Sequence, residues 1–91
     1  MTVHELKCWP AAFRAVRQGT KTFELRENRE PGFAIGDILW LREYDPDTGL
    51  YPGGSLLARV NYVLPASEVP LHPLPEGWVA MSIQVENPWR S

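Results

Sequence analysis

Gly19-Thr20-Lys21-Thr22-Phe23-Glu24-Leu25-Arg26 holds the decisive pattern of this 91-residue chain. From Thr22 onward polar and apolar residues alternate, which is the period of a strand. Thr22, Glu24 and Arg26 share one face, and Phe23 and Leu25 share the other. Residues two apart on a strand face lie about 6.5–7 Å from each other, a gap that Glu and Arg side chains span. Burial of Phe23 and Leu25 in a core is therefore expected. A hydroxyl, a carboxylate and a guanidinium would then stand in a row on the opposite face.

The flanking sequence supplies the rest of a small β-rich fold. Upstream, Val3 to Cys8 alternates as a first strand, with His4, Leu6 and Cys8 on one face. Trp9-Pro10 ends it, and Pro10 suits the first turn of a helix, where its missing N–H costs little. Pro10 to Gln18 places Phe13 and Val16 on one helical side and leaves Arg14 and Arg17 outside. Gly19 is a C-terminal stop. Downstream of the second strand, Asn28 to Gly36 is polar, and Ile38 to Tyr44 is the strongest strand. Its two faces both carry apolar residues, so coverage on both sides is expected, with Trp40 in the core. Asp45-Pro46-Asp47-Thr48-Gly49 is a turn by composition, and Leu56 to Leu64 returns as the hairpin partner. Pro65 to Gly77, with four prolines and His72, reads as a connecting loop. Trp78 to Val85 is the last strand, again with its tryptophan expected in the core. Residues 1–86 form one domain and 87–91 a tail. The fold class is mainly β (α+β). Five strands and one early helix in this length suggest a small, partly closed barrel, because a flat open sheet would expose too much apolar edge.

Composition narrows the function classes. Hydrophobic residues make up 44% of the chain, a globular share. Formal net charge is −2, but residues 1–29 carry six cations against three acids, and residues 30–91 carry three against eight. A small basic region on an acidic chain suits a compact anion or a short single-stranded nucleic acid. Non-specific duplex binding needs many more phosphate contacts. Cys8 is the only cysteine, so the chain builds no internal disulfide and no cysteine-based zinc site. His4 and His72 make no metal-binding spacing, and no cofactor is implied. No apolar run approaches the ~20 residues that cross a bilayer, and the start lacks a signal-peptide pattern. A cytoplasmic location is expected, without a membrane partner.

Lys7, Lys21, Thr22, Glu24 and Arg26 are the candidate binding residues. Lys and Arg hold phosphate or carboxylate, Arg through a bidentate fork. A carboxylate among them accepts from an amine or a sugar hydroxyl. Trp9, at the strand-to-helix corner, can stack on a base, a contact worth about 1–3 kcal/mol.

His4-Glu5-Leu6-Lys7, Trp9-Pro10, a short helix and Gly19-x-Lys21-Thr22-x-Glu24-x-Arg26 together resemble the ASCH domains of the PUA-like superfamily. Gly36-Asp37-Ile38, Leu41-Arg42-Glu43-Tyr44-Asp45-Pro46 and Gly77-Trp78-Val79-x-Met81-Ser82-Ile83 are similar to one branch. That branch is the short bacterial and phage family of domain of unknown function 3850. The resemblance implies a pseudo-barrel of five or six strands closed by the helix, with RNA or a nucleotide in a cleft between helix and barrel. It places Lys7, Lys21, Glu24 and Arg26 at the cleft. Some ASCH relatives are amidohydrolases of acetylated cytidine with a catalytic Lys, Thr and Glu, and others cleave RNA. Lys21 matches that lysine, but Glu24 stands where the threonine falls, so the nucleophile is absent at its matching position.

Three functions follow as expectations. The first is a binding module for single-stranded RNA or a nucleotide. The second is a hydrolase of a modified nucleoside or of RNA, with Lys21 and Glu24 as the catalytic candidates through an acid–base pair. The third is a protein-interaction module of phage or mobile-element origin that uses the hairpin around Tyr44, Leu50 and Tyr51. The shared-site expectation is geometric. The charged ends of Lys7, Lys21, Glu24 and Arg26 should converge beside the N-terminal half of the helix.

Overall fold

Each alternating segment forms a strand in the computed structural model, which describes residues 1–69 and 74–86. The elements are β1 (Val3–Cys8), α1 (Pro10–Gln18), β2 (Phe23–Glu27), β3 (Ile38–Glu43), β4 (Ser55–Pro65) and β5 (Trp78–Val85), with one 3-10 turn at Ala66–Glu68. His72 and the tail 87–91 lie outside the described residues. The five strands form one sheet in the order β1-β3-β4-β5-β2. β1 runs parallel to β3, and every other neighbouring pair is antiparallel. The sheet curls into a half-barrel, which fits the small α+β pseudo-barrel expected. β4 makes the curl possible. Its first half pairs with β3 and its second half with β5, and the register shifts between Val60 and Tyr62. Such an irregularity bends and twists a strand.

α1 starts with Trp9 in an extended conformation and Pro10 in the first turn. It ends where Gly19 turns left-handed at φ 85°, a conformation that favours glycine. The helix drives Phe13 and Val16 into the concave side of the sheet, where they join Leu39, Leu41, Leu56, Met81 and Ile83. Burying a side chain of this size stabilises the fold by about 1.5–3 kcal/mol.

Three expectations about the core are overturned. Phe23 and Leu25 are 47% and 43% exposed, whereas Glu24 is 3% exposed. The reason is register. β2 pairs with β5 so that Glu24 lies beside Met81 and Arg26 beside Val79, and those β5 residues face the core. Phe23 and Leu25 are thereby placed on the convex side. Trp40 is likewise on the outer face, 37% exposed, beside Leu57 in the β3–β4 register. Only Leu39 and Leu41 of β3 are fully enclosed, while Ile38 is nearly so on the other side. Trp78 is half-buried rather than central.

Candidate functional site

The inverted face of β2 builds the site. Glu24 points inward and needs compensation, because a buried carboxylate is costly unless paired. Both of its oxygens are engaged. Lys21 Nζ donates to Oε2 at 3.1 Å, and Arg26 Nε donates to Oε1 at 3.1 Å. Lys21 Nζ also donates to the Phe23 carbonyl at 3.0 Å. Arg26 reaches further. Its Nη2 donates to the Lys7 carbonyl at 2.8 Å, which links β2 to β1, the two edge strands of the sheet. The side chains of Lys21 and Arg26 are 23% and 26% exposed, so each cation faces partly to solvent while Glu24 does not.

Lys21, Glu24 and Arg26 therefore come together; the strand spacing allows the Glu24–Arg26 pair, and the resemblance placed Lys21 beside it. Lys7 does not bring its charge. Its odd position on β1 turns the side chain to the convex face, where Nζ lies 4.5 Å from the centre of the Tyr44 ring. The convergence of four charged ends is thus corrected to three, with Lys7 contributing only its carbonyl. Trp9 is 62% exposed, two residues beyond that carbonyl, and its own carbonyl accepts from Phe13 N–H at the start of α1. Thr22 is exposed outside the ion-pair cluster, and its carbonyl accepts from Ile83 N–H.

Cys8 lies against the cluster. Burial pushes its thiol pKa up, and Glu24 adds to that. Lys21 and Arg26 pull the other way without cancelling it, and Glu43 reinforces the rise. The thiol is held protonated and is unsuited to act as a thiolate nucleophile at neutral pH.

Two hollows flank β2. One, of about 330 Å³, lies at its start between the C-terminal end of α1 and β5, and Lys21 and Thr22 line it. The other, of about 410 Å³, lies at its far end, near Asn28, Ala66 and Trp78, and among the described residues no cation lines it. The concavity beside Lys21 is thus at the C-terminal end of α1, not at the N-terminal half. Among the described residues, no group of three or more His, Cys, Asp or Glu side chains is placed to hold a metal ion.

Two polar features are absent from the motif-based list. Asp37, just before β3, is 4% exposed. Its carboxylate accepts from Thr2 N–H at 3.0 Å, Ala34 N–H at 3.0 Å and His4 Nε2 at 2.9 Å. Burial alone would raise its pKa, but the hydrogen bonds from His4, Thr2 and Ala34 outweigh burial and hold it below the ordinary value. His4, expected on the leucine face, is there and stacks 4.4 Å from Phe33. On the convex face, Arg42 donates to Glu5 at 2.7 Å and lies 4.1 Å from the Tyr51 ring and 5.3 Å from the Trp40 ring. These contacts give Trp40 its place outside the core.

Residues 3–83 match the family described as Domain of unknown function (DUF3850). The chain belongs to this family. The match covers β1 to β4, the helix and β5 as far as Ile83, and it includes Lys7, Trp9, Lys21, Thr22, Glu24 and Arg26. No curated protein matches the chain. Among the described residues no helix is long and apolar enough to cross a membrane.

Proposed function

We propose that this domain is an ASCH-like, PUA-like module that binds a nucleotide or a short segment of single-stranded RNA at Lys21, Glu24 and Arg26. One observation supports this reading above others: a carboxylate that is 3% exposed is clamped between two cations that stay partly open to solvent. A buried ion pair adds little net stability after desolvation, so its presence here fits recognition better than stability. Glu24 fixes the two cations in place, and each keeps unspent donors. An ammonium has three N–H groups and a guanidinium five, whereas Lys21 and Arg26 each use two hydrogen bonds within the fold. The remaining donors suit phosphate or the carbonyl edge of a base. Trp9 supplies an exposed stacking surface next to the Lys7 carbonyl. Single strands are favoured because a small cleft accepts a splayed base and not a duplex groove.

The test is a titration of labelled single-stranded RNA and of free nucleotides at two salt concentrations. Wild type, Lys21→Ala and Arg26→Ala are compared, with circular dichroism as the check on folding. Wild type is expected to bind at low salt, and loss of one charge-assisted contact should weaken binding by about tenfold. No binding by wild type at low salt, or folded variants that both bind as tightly as wild type, overturns the proposal.

A further inference from the structure

The run from Leu6 to Phe23 contains Lys7, Arg14, Arg17 and Lys21 and no acidic residue. Arg14 and Arg17 are exposed on α1, and no described carboxylate pairs with either. Arg17 sits in the last helical turn, its guanidinium 5.5 Å from the Phe13 ring. It lines the 330 Å³ hollow together with Gln18, Lys21, Thr22 and Gln84. Two cations, two amides and a hydroxyl thus border one concavity, and among the described residues no carboxylate does. Its volume is at the lower end for ligand sites, which start at about 300 Å³.

The C-terminus of a helix ordinarily repels anions through its unpaired carbonyls. Here two of the last four carbonyls, those of Ala15 and Val16, are engaged. Val16 accepts from Gly19 N–H at 3.1 Å, and Ala15 accepts from the N–H groups of Thr20 and Lys21 at 3.0 Å each. The repulsion is thereby reduced, and Arg17 brings to the lining a cation that no described carboxylate pairs.

We infer that this hollow is a phosphate subsite, and that it takes the phosphate adjoining a nucleotide held at Lys21, Glu24 and Arg26. The inference rests on the nucleotide-binding reading for the identity of the neighbouring group. Lys21 belongs to both places, with Nζ on Glu24 and the residue in the lining of the hollow. A ligand that spans them carries at least one phosphate beyond the base-bearing unit, as an oligonucleotide or a nucleoside polyphosphate does. Arg17 is the residue that separates this subsite from the ion-pair cluster.

Amide chemical shifts of the full chain and of Arg17→Ala are followed by NMR during titration with four probes. These are inorganic pyrophosphate, uridine, uridine 5′-diphosphate and a uridine trinucleotide. Pyrophosphate should move the amides of residues 17–22 and of Gln84 in wild type and not in R17A. The diphosphate, the trinucleotide or both should bind wild type roughly tenfold more tightly than uridine, and R17A should lose most of that gain. For the trinucleotide, R17A should also reduce the slope of log K against log salt by about 0.7. A gain for the diphosphate alone identifies a terminal phosphate as the occupant, and a gain for the trinucleotide alone identifies an internal one. Pyrophosphate that leaves the hollow unmoved, or phosphorylated probes that bind wild type and R17A equally, overturns the subsite. If that happens while uridine binding stays sensitive to Arg26→Ala, the reading of the cluster survives. Pyrophosphate held through Arg17 without any uridine binding supports the subsite and removes the nucleotide reading.

Discussion

Replacing Asp37 by alanine should destabilise the protein by about 3 kcal/mol at pH 7. Three hydrogen bonds to a buried carboxylate are lost, from Thr2, His4 and Ala34. At about 1–1.5 kcal/mol each, less what solvent returns to the part-buried donors, they total about 3 kcal/mol. That is a large share of the roughly 5–15 kcal/mol that holds a domain together. Asp37→Asn keeps one acceptor oxygen and should lose about half as much. The pH dependence separates the charge from the shape. The folded pKa of Asp37 lies below its ordinary value, so its contribution is present in full above the unfolded pKa of about 3.9. It is lost as pH falls through the folded value. The stability gap between wild type and D37N should therefore be widest at pH 6–7 and narrow in acid below about pH 4. Urea melts of both proteins from pH 7 to pH 3, with equal slopes, measure this directly. A D37A loss under about 1 kcal/mol, or a D37N gap that is the same at pH 7 and pH 3, would refute the assignment of Asp37 as the tie between the N-terminus, the 28–36 loop and β3.

Gly54→Ala should cost about 1–3 kcal/mol by overpacking. A Cβ there would sit 2.7 Å from Glu43 Oε1 and 2.8 Å from Cε2 of Phe13, which is buried and has no room to retreat. An unchanged urea midpoint counts against that packing. Cys8 should react with a disulfide reagent at pH 8 only as fast as the protein opens, because the thiol is buried and its pKa is raised. Immediate reaction of the native protein would contradict this placement.

The strand and helix limits were legible because local chemistry sets them. Pro10 and Gly19 bound α1, and alternation marks β1 and β5 to the residue. The inner face of β2 was not legible. Alternation says which residues share a face, and the partner strand decides which face is buried. Phe23 and Leu25 lost the core to Glu24 because Met81 and Val79 of β5 set the parity. The same logic removed the Lys7 side chain from the site, since β1 buries its even positions. Asp37 stood in the quoted Gly36-Asp37-Ile38 stretch, but its role was not legible because its partners Thr2 and His4 are more than thirty residues away in the chain. A lone acid after a glycine and before an apolar strand was the available signal. Arg17 read as an outer-face residue, and its place on a concavity depends on β5, which arrives over sixty residues later.

The bridge from Arg26 to the Lys7 carbonyl has unequal demands at its two ends. Every amino acid presents the same carbonyl, so position 7 places no constraint on chemistry at the junction of the edge strands. Position 26 is the reverse. One side chain must give Nε to Glu24 and Nη2 to β1 at once, and only a forked guanidinium has two donors so spaced. Lysine there would have to choose between the carboxylate and the strand. Substitution at this junction is therefore one-sided in its effect: a change at residue 7 leaves the bridge's acceptor in place, whereas a change at residue 26 removes at least one of its two donors.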